Sequence, residues 1–409
     1  MNRNFVILGA ILIQLALGAI YAWSVFTPSL TDAEWTKTET QWVFSIGLAS
    51  FAVFMVLSGK LMPKVGPQKL AIFGGLLLGA GYLLAGLFGG TDFWMLLILI
   101  GLIGGAGIGF AYVVPIAVGM RWFPDKKGMI TGLAVAGFGF GALLWIKLAG
   151  SWGHLIADMG LSTVFTIYGV AFAAMVIIGG LWMKFPPVGW VPKGYEEKQA
   201  VAGTSGKKEF SSSEMLKKIQ FYLIFFTFVF SAGAGLMSIG LMKLYPMEAL
   251  QAAGLTDVQA SAIAGTAMAV FFSLANGLGR ILWGLISDKI GRKTSIIIMT
   301  AIQGIVIILF TYMAGNEILL YVGATLIGFN FGGNFALFPT ITADTFGAKN
   351  VGQNYPFVFL AYGVGGIAGP ILGGMMGDMG NFALAFTITG VFVLLGTVLT
   401  LVVKAPKNA

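Results

Sequence analysis

The sequence predicts an all-α membrane protein of twelve transmembrane helices arranged as two six-helix bundles. Three observations point there. The chain of 409 residues is 57% hydrophobic and only 10% charged, its apolar runs are long enough to span a bilayer, and its second half repeats motifs of its first. A soluble domain devotes about a quarter of its residues to charge, and a disordered chain lacks apolar residues. Both classes are excluded.

Taken in order, the apolar runs bounded by charges, Pro and Gly fall at 5–30, 42–62, 70–89, 93–120, 128–150, 161–184, 219–245, 258–286, 294–314, 317–343, 351–375 and 380–403. A helix needs about 20 apolar residues to cross the hydrocarbon core. The first run follows Arg3 without a small-residue cleavage site and is expected to be a retained span. The fourth is long enough to require a tilt or a bend, with Pro115 as its expected place.

The basic residues orient the chain. With the N-terminus inside, the cytoplasmic side collects Arg3; Lys60, Lys64, Lys69; Arg121, Lys126, Lys127; the seven lysines from Lys184 to Lys218; Lys289, Arg292, Lys293; Lys349; and Lys404, Lys407. Lys37, Lys147 and Lys243 remain outside and Arg280 within the membrane, so both termini are expected to be cytoplasmic. The Lys147 amine is expected to snorkel to the outer surface. His154 in the loop after it reads as a surface or capping residue.

Between Phe185 and Gln220 the composition turns to Pro, Gly, Ser, Lys and Glu. This is a solvated linker, with a short amphipathic helix expected near Ser213 to Lys218 on the membrane surface. It divides the chain into a six-helix bundle at 1–187, a linker at 188–217 and a second bundle at 218–409. The halves repeat in detail. Ile-Gly-Gly-Ala-Gly-Ile-Gly-Phe-Ala-Tyr-Val-Val-Pro, ending at Pro115, parallels Ile-Gly-Phe-Asn-Phe-Gly-Gly-Asn-Phe-Ala-Leu-Phe-Pro, ending at Pro339. Ala-Gly-Phe-Gly-Phe-Gly at 136–141 parallels Ala-Tyr-Gly-Val-Gly-Gly at 361–366. Parallel six-helix repeats are the architecture of a two-halved carrier with its site between the halves.

Other classes fall away. The absence of cysteine excludes disulfides and thiol chemistry, and one histidine makes a metalloenzyme improbable. No cofactor is expected. The glycine runs lie inside spanning helices with no preceding strand, unlike a nucleotide-binding loop. The net charge of +8 is scattered through short loops, unlike a nucleic-acid surface. No nucleophile and base are paired as an enzyme would need.

Arg280 remains. It stands inside the eighth run, whose end is marked by Asp288, Lys289, Arg292 and Lys293. The eight positions from Arg280 to Asp288 span roughly 12 Å, against about 15 Å for half a hydrocarbon core. Arg280 is therefore placed near mid-membrane, where an arginine costs about 3 kcal/mol on insertion scales and normally faces a bundle interior or watery cavity. No Asp, Glu or His can be placed beside it, so the expected counterion is a transported anion. A guanidinium suits a carboxylate because its planar fork makes two charge-assisted bonds. The alternative is that Arg280 bonds helix carbonyls or anchors an inner gate. Asn276, one turn earlier on the same face, is expected to orient it or to bond a substrate oxygen. Asn330 and Asn334 share a face and read as helix-helix hydrogen bonding, with cavity lining as the alternative.

The loop Gly284-XxxXxxXxx-Asp288-XxxXxx-Gly291-Arg292-Lys293 and its first-half counterpart, Gly59-XxxXxxXxx-Pro63-XxxXxx-Gly66-Pro67-Gln68-Lys69, resemble the cytoplasmic loop signature of the major facilitator superfamily. The resemblance implies the major facilitator fold and a charge latch, here through Asp288 and Arg292; Pro63 departs from the acid the family has. Arg-Trp-Phe-Pro-Asp-Lys-Lys-Gly at 121–128, Asn-Gly-Leu-Gly-Arg at 276–280, Ser-Asp-Lys-Ile-Gly-Arg at 287–292, Ala-Leu-Phe-Pro-Thr at 336–340 and Gly-Ala-Ile-Tyr-Ala-Trp-Ser at 18–24 together resemble the oxalate/formate antiporter group, bacterial relatives of the monocarboxylate transporters.

That resemblance implies pocket roles for Tyr21, Tyr112, Phe331 and Phe335, with Phe359 and Tyr362 facing them. It also implies that Asn276 stands where monocarboxylate transporters carry an Asp. In oxalate carriers of the group a second cation, a lysine on the eleventh helix, is expected; the Asn-Tyr at 354–355 aligns Tyr362 with it. One cation matches one carboxylate better than two, which favours a monocarboxylate. The expected function is transport of a small monocarboxylate of the lactate or pyruvate type with proton symport, by a monomer in a bacterial inner membrane. Anion exchange is the alternative, and a carboxylate sensor is a third. Asp32, Glu34 and Asp257 are the candidate proton sites.

Overall fold

The computed structural model describes residues 3–123, 127–150, 152–187, 190, 209–347 and 351–404, with backbone alone for 120, 127–134 and 351–353. Lys126, Lys349, Lys407 and the linker lysines between 191 and 208 lie outside the described residues, as does most of the linker. The described chain is helical and contains no strand. In lipid every backbone donor and acceptor must be satisfied within the segment, so apolar runs of this length become helices.

Twelve long helices result among the described residues. They are α1 (Asn4–Val25), α2 (Lys37–Val65), α3 (Pro67–Gly89), α4 (Phe93–Gly119), α5 (Lys127–Ala149), α6 (Leu155–Gly180), α7 (Ile219–Leu241), α8 (Asp257–Ile290), α9 (Arg292–Met313), α10 (Glu317–Phe346), α11 (Val351–Asp378) and α12 (Phe382–Val402). Eleven are long and apolar enough to cross a membrane among the described residues, and α5 has 23 residues, about 35 Å of helix. In α6 the positive-φ backbone of Gly160 (φ 76°) interrupts the helix at its first turns, just before the apolar run that begins at 161.

α1 packs on α5 and α6, α2 on α4, and α3 on α4 and α6. In the second set α7 packs on α11 and α12, α8 on α10, and α9 on α10 and α12. Two seams join the sets, α2 against α11 and α5 against α8. Without a hydrophobic drive between helices in lipid, close approach of small residues holds such pairs. The α8–α10 pair shows it: a Cβ on Gly279 would stand 2.0 Å from the Phe329 carbonyl oxygen, and one on Gly332 would stand 2.2 Å from that of Asn276. No side chain larger than hydrogen fits at either place.

Four helices leave α geometry, and α3 does so at its end, with a π stretch over Ala85–Gly89. α1 tightens to a 3₁₀ stretch over Gly18–Val25 and breaks before the short helix Thr27–Asp32, earlier than the apolar run predicts because Pro28 starts a new helix there. α4 widens to π geometry over Leu97–Gly104, and Pro115 lies inside the α-helical part that follows. α8 widens likewise over Ala267–Phe272, one turn before Asn276.

At the end of the molecule where α2 begins, Lys243 Nζ donates to Ser261 Oγ at 2.7 Å and to the Ser261 carbonyl. Burial pushes its ammonium down to about 8, against the pull of Asp257 and with the push of Lys147. Lys147 is a buried residue whose amine reaches this same end of the molecule, near Lys243. The expected linker helix is a single turn, Ser212–Met215, and it docks on the protein. Phe210 N donates to the Phe346 carbonyl at 2.9 Å, and Asn354 Nδ2 donates to that of Phe210 at 3.0 Å.

Candidate functional site

Arg280 sits in the α-helical part of α8, just beyond its π segment, and is 1% exposed. Its Nε donates to Asn276 Oδ1 at 3.2 Å, the i to i−4 contact that helix spacing permits. This fixes the amide, so Asn276 Nδ2 points away and has no partner. Its Nη1 reaches across the α5–α8 seam to the Val135 carbonyl at 3.0 Å. Nη2 makes no bond of good geometry, although the Tyr21 and Tyr112 phenols stand beside the guanidinium. No carboxylate pairs with Arg280 among the described residues.

Aromatic rings enclose the cation. Its Cζ lies 4.0 Å from the Phe335 ring centroid and 5.5 Å from that of Phe138, close enough for a cation–π contribution. Tyr21 packs edge-on to Phe138 at 4.9 Å and to Phe331 at 5.7 Å. Tyr112 meets Phe138 at 5.4 Å and Phe359 at 5.9 Å, and Tyr362 meets Phe359 at 4.9 Å and Phe335 at 5.6 Å. The Tyr21 and Tyr362 hydroxyls hydrogen-bond to each other at 3.0 Å, one from each half.

The structure thus gathers Arg280, Asn276, Tyr21, Tyr112, Phe331, Phe335, Phe359 and Tyr362 into one buried cluster where α1, α4, α8, α10 and α11 converge. Sequence reasoning missed three members. The Phe51 ring lies 4.9 Å from Tyr112 and 5.6 Å from Tyr362, Phe138 bridges Tyr21 and Tyr112, and the Val135 carbonyl holds the guanidinium. Phe138 belongs to the repeated glycine motif on α5, a signal that was available; a carbonyl leaves none. Asn334 Oδ1 accepts from Ser231 Oγ of α7 at 2.8 Å, the helix-helix bond expected of it, while neither side-chain polar atom of Asn330 has a partner.

Asp288 and Arg292 are also brought together. Arg292 Nη2 stands 2.5 Å from Asp288 Oδ1, and its Nε stands 3.6 Å from Asp344 Oδ2, a partner on α10 that the sequence did not single out. Arg292 also donates to Ser287 Oγ. Among the candidate proton sites, Asp257 accepts from Gln251 Nε2 at 2.9 Å in the first turn of α8, and Glu34 adopts a left-handed turn (φ 68°). No group of three His, Asp or Glu residues that could hold a metal ion occurs among the described residues.

A buried guanidinium with an unpaired N–H, no carboxylate among the described residues, and walls of aromatic rings and phenols can pair with a small anion. Leaving such a charge uncompensated costs several kcal/mol.

The sequence profile of the Major Facilitator Superfamily matches residues 6–271 and 254–409. Curated relatives agree. The chain is 30% identical over 372 residues to "Uncharacterized MFS-type transporter YhjX" of Escherichia coli, covering 90% of this chain and 86% of that one. It is 27% identical to "Oxalate:formate antiporter" of Oxalobacter formigenes, covering 95% and 88%. It is 25% identical to "Apicoplast pyruvate carrier 1" of Toxoplasma gondii, covering 82% and 69%. A profile spanning nearly the whole chain, on a twelve-helix frame whose repeats meet at a buried cation, makes the protein a member of the Major Facilitator Superfamily of membrane transporters.

Proposed function

We propose that the protein carries a small monocarboxylate of the lactate or pyruvate type by alternating access, with proton symport. The observation that carries this reading is Arg280, buried and without a carboxylate partner among the described residues, inside a ring of aromatic side chains drawn from both halves. Arg280 binds the carboxylate, and Asn276 Nδ2 offers a second donor to a keto or hydroxyl oxygen. Phe331, Phe335 and Phe359 enclose the carbon chain, and the Tyr21–Tyr362 pair joins the two walls. The bundles 1–187 and 218–409 rock about this point, and Asp288 with Arg292 latches one end. Tyr362 places a phenol where a dicarboxylate carrier would want a second cation, which supports a single carboxylate. Relatives named as a pyruvate carrier and as monocarboxylate transporter 13 of Rattus norvegicus support the same class. The lysine and arginine bias supports cytoplasmic termini, so the face bearing Lys37 and Asp378 is outer.

The test is uptake of labelled pyruvate and lactate by purified carrier in proteoliposomes. Accumulation driven by an inward proton gradient is the expected result; dependence on internal anion would assign exchange instead, and binding without flux would assign a sensor. Arg280→Gln is expected to cut uptake about 100-fold, the scale of removing one member of a buried charged pair. Undiminished uptake by a folded Arg280→Gln variant would overturn the reading.

A further inference from the structure

The start of α2 is capped by the opposite half of the molecule. The backbone N–H groups of Lys37 and Thr38 donate to the Asp378 carboxylate at 2.8 and 3.0 Å, and the Thr38 hydroxyl donates to it as well. The next N–H, that of Glu39, is served locally by Thr36 in a capping box. Asp378 is the last residue of α11. Beside it Lys37 Nζ stands 2.5 Å from Glu248, donates to the Gly377 carbonyl at 3.3 Å, and lies 4.8 Å from the Phe382 ring of α12. Glu248 belongs to the short helix Leu244–Ala252 that follows α7. One turn into α2, Gln41 Nε2 donates to the Gly240 carbonyl of α7 at 3.4 Å.

The first N–H groups of a helix have no partner within it, and they carry a positive partial charge that favours an anion. In most helices the cap comes from the adjoining chain and travels with the helix. Here the first two donors of α2 depend on a carboxylate that belongs to the other bundle, and the adjoining ammonium depends on a second one. Parting the bundles at this end therefore strips a helix start and splits an ion pair in the same movement.

We propose that Asp378 and Glu248 form a charge lock on the outer mouth, which α2 must release, uncapping its own first turn, before the carrier opens outward. The lock rests on the alternating access and orientation of the proposed function but not on its substrate. The test needs no transport assay, so failure of the monocarboxylate reading would leave its result intact.

The sequence has no cysteine, so one can be introduced as a lone reporter. Ser45 is fully buried on α2, one turn beyond Gln41, and Ser45→Cys changes one atom. A membrane-impermeant maleimide is applied to the outside of reconstituted vesicles, and the labelling rate is measured. Asp378→Asn and Glu248→Gln are each expected to raise that rate roughly fivefold, the scale of one charge-assisted cap or ion pair. Asp158→Asn, an exposed acid on α6, is expected to leave it unchanged. Rates that stay flat in folded Asp378→Asn and Glu248→Gln variants would overturn the lock. So would a rise seen only with reagent inside the vesicles.

Discussion

Gly66 and Gly291 turn the chain in the same way, at φ 88°, ψ 151° and φ 88°, ψ 150°, at matching places in the two halves. In the register they set, Phe51 and Met55 of α2 stand where α8 has Asn276 and Arg280, and Pro63 stands where it has Asp288. The second copy of the turn is held by Arg292 between Asp288 and Asp344. Among the described residues the first shows no such ion pair; Gln68 Nε2 donates instead to the Leu181 carbonyl at 2.8 Å, and Lys60 Nζ lies 5.7 Å from the Phe357 ring of α11. The frame is thus repeated while the charge is not. Both halves supply aromatic walls and phenols, while the second alone supplies the cation and the Asp288–Arg292 ion pair, so backbone symmetry and chemical asymmetry are separable in this protein.

The comparison can be broken most severely at the cation. Replacing Arg280 by Met, the counterpart residue, is expected to lower pyruvate uptake about 100-fold, as the glutamine variant should. Met55→Leu, a swap of similar volume in the equivalent place, should leave the initial rate within about twofold. If both variants lose transport alike, the two positions are not chemically distinct. The shared turn gives the next effect. Both glycines occupy a region that side chains rarely adopt, so Gly66→Ala and Gly291→Ala should each destabilise by about 1–3 kcal/mol in thermal melts. A marked difference between the two would show that the turns are not equivalent.

The latch gives a smaller effect. Arg292→Gln removes a partly exposed ion pair, worth about 1 kcal/mol or less, and is expected to change the uptake rate by no more than roughly fivefold. Pro63→Asp should change it less, because no arginine waits beside it in the first copy. The last effect belongs to Lys243, which burial holds at about 8, below the ordinary lysine value of about 10.4. Between those values the unfolded chain binds more protons than the folded one, so stability should rise with pH across that window and fall again as pH drops toward 8. The shift is worth roughly 3 kcal/mol, so the wild type should gain about 4 °C in melting temperature relative to Lys243→Met over this range.

Much of the frame was legible because lipid leaves a chain few choices. Twelve apolar runs had to become helices, and their ends are marked by charge and glycine. Arg280 was legible for the same reason, since a guanidinium at that depth stands out against its surroundings, and Tyr21, Tyr112 and Tyr362 carry hydroxyls that stand out in hydrocarbon. Phe51 was not legible, because a phenylalanine facing the centre and one facing lipid look alike along an apolar run, and Phe138 was marked only by the repeated glycine motif around it. The Val135 carbonyl and Asp344 depend on which helices meet, and so does the capping of α2 by Asp378 across 341 positions of sequence. The departures from α geometry in α1 and α8 left no pattern either, since their composition is that of any spanning segment.

The contact between Gly279 and Phe329, with its reciprocal between Gly332 and Asn276, has a mechanical meaning. Two rods pressed backbone to backbone cannot slide or roll without collision, so α8 and α10 must travel as one plank. On the proposed reading Arg280, Phe331 and Phe335 would then keep their spacing throughout the cycle as a stiff jaw, and adjustment to different cargoes would fall to the opposite side, Tyr21, Phe51, Tyr112 and Phe138.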